Sequence, residues 1–327
     1  MPAENSNLPA IKTNSDVVVQ YLLAREVTEP ILVSFINAVL ADSKMKPIKS
    51  ARVRNPFNPR SFEADKGTVL DIVAVDENRT RYNIEVQVLQ ERGFIDRCLL
   101  YNGKLFASQL RKNDKYSQLK PTISIVLTEF DLFPDLHRLH TTSMMTIIEA
   151  PGRILTDKIQ IHFIQIPKKP DKTFIRGVNE LLLAWLKFFN FPRVTSEEEL
   201  SALAEKDEGI KMAIMEYTKF RGDAELRDLY RRREIFRHDM LSYTNTMVEE
   251  GREQGRAEGI EIGIEQGREE ERTNLLLQAV ESKFGKTKAS FKKKIRAIKD
   301  PAAVVKLLTI TIPTAQTIKD VEKAISG

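Results

Sequence analysis

Residues Arg81 to Val88 read RYNIEVQV, which sets Tyr82, Ile84, Val86 and Val88 on one side of an extended chain and Asn83, Glu85 and Gln87 on the other. Thr68 to Val75, TVLDIVAV, is equally dense in branched residues. Between them Asp76, Glu77, Asn78 and Arg79 supply turn chemistry. The pattern predicts an antiparallel hairpin, so the fold is not all-helical.

Helices and further strands surround this pair. Asp16 to Ala41 reads as helix, with Val18, Leu22 and Leu23 ahead of Ile31, Leu32, Phe35, Ile36, Val39 and Leu40 at helical spacing. Pro30 suits the first turn of a second helical stretch, with Thr28 as its cap. Pro47, Pro56 and Pro59 make Ser43 to Asp65 mostly loop or edge strand. A helix is expected from about Gly93 to Lys112, carrying Phe94, Cys98, Tyr101, Leu105 and Leu110. Pro121 opens a strand over Thr122 to Thr128, Ile159 to Ile166 alternates as another, and the chain is mostly helical from Val178 onward. The order predicts an α/β or α+β core with a helical second half.

Composition excludes several classes. The 327 residues are 42% hydrophobic and 30% charged, enough for a core of one large domain or two ordinary ones. One cysteine, Cys98, permits no intrachain disulfide and no cysteine zinc cage. His137, His140, His162 and His238 are scattered. The first two have metal-ligand-like spacing but no acidic or cysteine partner in a recognisable motif. His162 and Trp185 read as core or surface residues with no special chemistry. A net charge of +5 leans only slightly toward nucleic acid. The polar start MPAENSNLPA is not that of a signal peptide, and Leu181 to Phe189 falls far short of the ~18 apolar residues of a membrane span. A soluble cytoplasmic protein is expected.

Glycine recurs at 251, 255, 259, 263 and 267 within EEGREQGRAEGIEIGIEQGREEE. A four-residue period puts these glycines on one slowly drifting helical stripe. Each costs about 1 kcal/mol against alanine in a helix. Two readings stand: a close helix-helix seam joining copies of the chain, or a partly helical spacer. Beyond it, Thr273 to Gly327 looks like a small helical module with Lys286, Lys288, Lys292, Lys293, Lys294, Arg296 and Lys299 on an amphipathic frame, a candidate for phosphate contact. The expected division is 10–248, 249–272 and 273–327.

The constellation with chemical potential is Asp71, Glu85 and Gln87. Glu85 and Gln87 project from one sheet face, and Asp71 is set among Val69, Val73 and Val75 on the preceding strand. A carboxylate in a half-buried strand is costly unless paired or metal-bound. Two that face one spot suit a hard divalent cation such as Mg²⁺, which can activate water against a phosphoryl group. The plainer reading is an exposed sheet face bearing Asn, Glu and Gln for solubility.

The stretch KGTVLDI from Lys66 to Ile72, the segment YNIEVQ from Tyr82 to Gln87, and Arg97 with Tyr101 resemble the Rpn family of recombination-promoting nucleases and transposase-like proteins, within the PD-(D/E)xK superfamily. The likeness extends to SDVVVQYLLAREVTEPILVSFINAVL, to KYSQLKPTISIVLTEFDLF and to the glycine repeat. It implies a PD-(D/E)xK restriction-endonuclease-like core, a mixed sheet flanked by helices, with a helical C-terminal extension. It also implies a DNA endonuclease using Mg²⁺, or Mn²⁺, with Asp71 and Glu85 as ligands and roles in recombination, transposition or defence. Gln87 falls where the superfamily usually has lysine, and Asp16 matches a helix-opening aspartate that completes the site in many relatives, or else caps the helix. Arg97, Tyr101 and Lys66 are the candidate substrate contacts, Arg97 and Tyr101 with a supporting role as the other reading. Where relatives usually show Phe-Lys and an aromatic-glycine pair, this chain has Val19-Gln20 and Leu23-Ala24. The alternative is therefore a catalytically weak or inactive DNA-binding, oligomerising protein on a nuclease-like fold.

Overall fold

The computed structural model describes residues 11–57, 72–87, 92–166, 177–190, 197–298 and 300–326. Two compact units divide between Arg237 and His238.

The first unit opens with helix α1 (Asp16–Leu23), capped by Ser15, whose side chain accepts from the Val18 N–H. Asp16 is thus the first helical residue and not the cap. The helical stretch expected over 16–41 is interrupted: a 3₁₀ turn at Glu26–Thr28 intervenes before α2 (Glu29–Asp42). Pro30 enforces this, because it has no N–H to give a preceding turn and fits only the start of α2. Thr28 stands at the cap position but donates its hydroxyl back to the Arg25 carbonyl.

Six strands form one mixed sheet: β1 (Ala51–Val53), β2 (Ile72–Asp76), β3 (Arg81–Gln87), β4 (Thr122–Thr128), β5 (His140–Thr146) and β6 (Ile154–Gln165). Their order is β1-β2-β3-β4-β6-β5. The hairpin expected from sequence is present, with Val73 opposite Asn83 in antiparallel register. Strands β3, β4 and β6 run parallel, which requires a crossover between β3 and β4. Helix α3 (Phe94–Ala107) provides it. It ends short of the expected Lys112 because Gln109 turns its amide to both backbone groups of Lys120 and draws the chain toward β4. Strand β6 begins earlier than the Ile159 expected, and β5 was not expected at all. As an edge strand, HTTSMMT has a largely open surface and no apolar alternation to betray it.

The sheet is covered on both faces. Against one pack α1, α2, α4 (Glu180–Phe189) and α6 (Glu208–Gly222), with α5 (Glu197–Ala204) beside them. Tyr82, Ile84, Val86, Ile125 and Ile164 meet Phe35, Trp185, Phe189 and Phe220 there. Trp185 is a core residue, and its indole N–H donates to Ser34 Oγ at 3.1 Å. On the other face α3 closes a smaller cluster of Phe94, Cys98, Val126, Ile161 and Phe163.

Helix α7 (Ala224–Phe284) runs for 61 residues and includes the whole glycine repeat. In the second unit its last turns join α8 (Ala289–Arg296), α9 (Pro301–Lys306), a π-helical turn at Leu307–Thr311 and α10 (Ile318–Ser326). Leu276, Val280, Phe291, Ile295, Leu307 and Val321 form a separate small core. Of the basic run, Lys292 pairs with Glu281 at 2.9 Å, while Lys286, Lys288, Lys293, Lys294 and Arg296 are exposed.

Candidate active site

The alternation of β3 sends Tyr82, Ile84 and Val86 into the large core, so Asn83, Glu85 and Gln87 turn toward α3. They are not a solvated face, being 5%, 2% and 4% exposed respectively. Gly93, in the left-handed region at φ +79°, stands before the first turn of α3. One turn in, Arg97 reaches the strand. Its Nη2 donates to Glu85 Oε1 at 2.8 Å and to Gln87 Oε1 at 2.6 Å. A buried carboxylate needs such a partner, since desolvating an unpaired charge costs several kcal/mol. The guanidinium also stacks its carbon over Phe94, 5.4 Å from the ring centroid.

A second acid lies at the same end of the sheet. Glu129 follows β4, its N–H donates to the Gln87 carbonyl at 3.1 Å, and its Oε1 accepts from Asn14 Nδ2 at 2.9 Å. The Asn14–Glu129 bond brings the start of α1 to the C-terminal ends of β3 and β4, where open α/β sheets bind ligands. Sequence reasoning missed both residues. The available signal was an acid directly after a branched strand, in IVLTEF.

The other expected residues are distributed unevenly. Asp16 lies two residues from Asn14, but its Oδ2 is paired with Arg233 Nε at 2.6 Å. Tyr101 is 38% exposed and faces Lys104 Nζ, 5.9 Å from its ring centroid. Among the described residues no hydrogen bond joins Tyr101 to Glu85. Asp71 and Lys66 lie outside the described residues. Among those described, no group of three or more His, Cys, Asp or Glu could hold a metal ion. The donor set still has the right chemistry for a hard cation, since the Glu85 and Gln87 oxygens converge on one cationic nitrogen.

A second polar cluster sits on the opposite sheet face. His140 Nδ1 lies 2.6 Å from Asp42 Oδ2, His140 Nε2 lies 2.9 Å from His162 Nδ1, and the two rings stack with centroids 5.2 Å apart. Burial, reinforced by the His140 charge, pushes His162 down to about 3, with Asp42 acting the other way. Burial works to raise Asp42, but the hydrogen bonds from His140 and the Asn179 N–H, with the charges of His140 and Arg138, outweigh it and hold the carboxyl below its usual range. His140 therefore pairs with His162 and Asp42, not with His137.

A mixed sheet covered by helices, with a buried Glu-x-Gln on its third strand, makes this an α/β domain. The chain belongs to the PD-(D/E)XK nuclease family transposases, which it matches over residues 13–247. No curated protein and no solved structure matches it. Among the described residues no helix is long and apolar enough to cross a membrane.

Proposed function

We propose that the protein is a Mg²⁺-dependent DNA endonuclease that hydrolyses phosphodiester bonds, with Mn²⁺ as a substitute ion and a role in recombination, transposition or defence. The observation that carries this reading is the single Arg97 nitrogen bridging Glu85 and Gln87 inside a PD-(D/E)XK domain. Asp71 and Glu85 would hold the metal. When bound, the ion supplies a Lewis acid for the phosphoryl oxygen and a water of lowered pKa.

The protein's own groups then have distinct tasks. The Gln87 carbonyl oxygen accepts a hydrogen bond from the attacking water and orients it, but as an amide it contributes no charge. Arg97 holds Glu85 and Gln87 in place and provides a permanent positive charge beside them. Tyr101 and Lys66 contact the substrate backbone, and Asp16 acts once released from Arg233. Two observations favour the alternative of a DNA-binding protein without cleavage. Asp16 is engaged by Arg233, and Gln20, where relatives usually have lysine, is buried at 4% exposure.

Nicking of supercoiled plasmid in Mg²⁺, Mn²⁺ or EDTA, with wild type, Asp71→Ala and Glu85→Ala, separates the two. Metal-dependent cutting lost in both variants is the expected result. DNA binding without cutting by wild type would transfer the assignment to the alternative.

The chain is further proposed to assemble with copies of itself through 249–272. Cβ atoms placed on Gly251, Gly255, Gly259, Gly263 and Gly267 would meet nothing within 4 Å, so this stripe of α7 is open. Ile260 and Ile264, one turn apart beside it, are 55% and 52% exposed.

A further inference from the structure

The face of the sheet that carries Glu85 continues past β3 to the outer strands, and it changes character there. Arg52 is opposite Val75, and Val75 is opposite Arg81, so these three share one row across β1, β2 and β3. Strand spacing of ~4.8 Å separates Arg52 from Arg81 by about 10 Å. Arg54 follows by alternation on the same face, its N–H bonded to the Val73 carbonyl at 2.7 Å. Arg79 adds a fourth guanidinium from the β2–β3 turn, held at φ +68°.

Arg52, Arg54 and Arg79 are exposed, and among the described residues no ion pair or side-chain hydrogen bond engages them. Arg81 is anchored instead, donating to Ser108 Oγ at 2.7 Å and to the Leu105 carbonyl at 3.2 Å. Burial, then the charges of Arg54 and Arg79, push the Arg81 guanidinium below its ordinary range, so the group repels itself. The described acids of this corner, Asp76 and Glu77, do not relieve it. Glu77 accepts from the N–H groups of Lys49 and Ser50, at 2.9 and 3.1 Å. Asp76 turns beneath the loop to Asn78, Thr80 and the Tyr82 hydroxyl. Among the described residues, half-buried Val73 and Val75 lie between the arginines.

Four like charges kept together on one strand surface, with no counter-ion among the described residues, are costly to the isolated protein and suited to a polyanion. Guanidinium forks match phosphate oxygens two at a time. Glu85 is four residues from Arg81 on β3, about 13 Å, which corresponds to roughly four 3.4 Å steps of one strand along a duplex axis. We infer that Arg52, Arg54, Arg79 and Arg81 form a track for the phosphate backbone of double-stranded DNA, holding the duplex so that a bond several steps away reaches Glu85. This deepens the endonuclease reading and rests on it.

The test uses the full chain and a short fluorescein-labelled duplex of random sequence, in Ca²⁺, with anisotropy followed over a salt titration. The variants are Arg52→Ala/Arg54→Ala/Arg79→Ala, its all-lysine counterpart, and a charge-matched control, Lys206→Ala/Lys211→Ala/Arg231→Ala. Loss of three phosphate contacts lowers the slope of log K against log salt by ~2.7 and weakens binding at least about ten-fold at low salt. The lysine variant and the control keep the wild-type slope within about one unit. If wild type binds and the alanine variant keeps its slope, the track is overturned and the endonuclease reading stands. If wild type binds no nucleic acid at low salt, both fall. Loss confined to single-stranded DNA or RNA, with duplex binding intact, overturns the duplex assignment.

Discussion

Arg97 and Glu85 face each other across 2.8 Å, the carboxylate 2% exposed and the arginine side chain 25%. The pair joins the crossover helix α3 to the strand it follows, so it is both a packing element and the centre of the candidate site. Arg97→Ala takes the Arg97 charge away from a buried carboxylate, and breaking such a pair costs about 3–5 kcal/mol. Replacing both partners, as Glu85→Gln with Arg97→Met, restores much of that loss because the Glu85 charge is removed together with its Arg97 partner. Urea unfolding of the single and double variants measures the coupling, and additive losses would contradict it.

His162 makes the fold sensitive to acid. Its folded value of about 3 lies below the ~6.5 of an unfolded chain. Between those limits the unfolded state takes up a proton that the folded state refuses, so stability present above ~6.5 is lost as pH falls, by up to ~1.4 kcal/mol per pH unit. Urea midpoints from about pH 7.5 to about pH 5 stay above the range in which Asp42 titrates. Over that interval the wild-type midpoint drops, and His162→Gln flattens the dependence. An equal slope in the variant would remove His162 as the cause.

What was legible in the sequence followed from regular patterns. The 81–88 alternation and its turn located the hairpin, and with it the side-by-side placement of Glu85 and Gln87. Arg97 was singled out only through the family resemblance, as a substrate contact or a support for Glu85, and the hydrogen bonds show the support. The long-range pairings were not legible: Asn14 with Glu129, Asp16 with Arg233, and the Asp42–His140–His162 chain join elements whose approach is set by sheet order. Strand β5 escaped for a local reason, since Thr and Met at an edge carry no apolar period. The arginine track was also hidden, because Arg52 and Arg54 were assigned to a loop-rich stretch and meet Arg81 only through β2.

Gly209 marks the tightest junction in the helical layer. A Cβ there would lie 2.2 Å from Ser34 Cβ, on the α2 residue that also bonds Trp185 and Asp207. Neither helix can yield without disturbing this buried group. Gly209→Ala is therefore expected to destabilise by ~1–3 kcal/mol through overpacking, despite alanine's better helix propensity. Ser34→Gly made together with it opens the space and recovers part of the loss. A Gly209→Ala protein as stable as wild type in urea would show that α2 and α6 do not meet so closely.

The glycine repeat allows a prediction whose sign separates its two readings. Among the described residues nothing lies within 4 Å of a Cβ built on Gly255, Gly259 or Gly263, so in an isolated chain alanine is free to replace them. Each change then favours the helix by about 1 kcal/mol. In a seam between copies of the chain the same methyl groups hold the backbones apart and weaken association. Gly255→Ala/Gly259→Ala/Gly263→Ala is thus expected to keep or raise the helical circular dichroism while lowering the mass seen by light scattering. A wild-type protein that is monomeric both intact and with 249–272 deleted would end the assembly reading. Higher helicity at unchanged oligomer mass would make the repeat a spacer whose glycines set its stiffness.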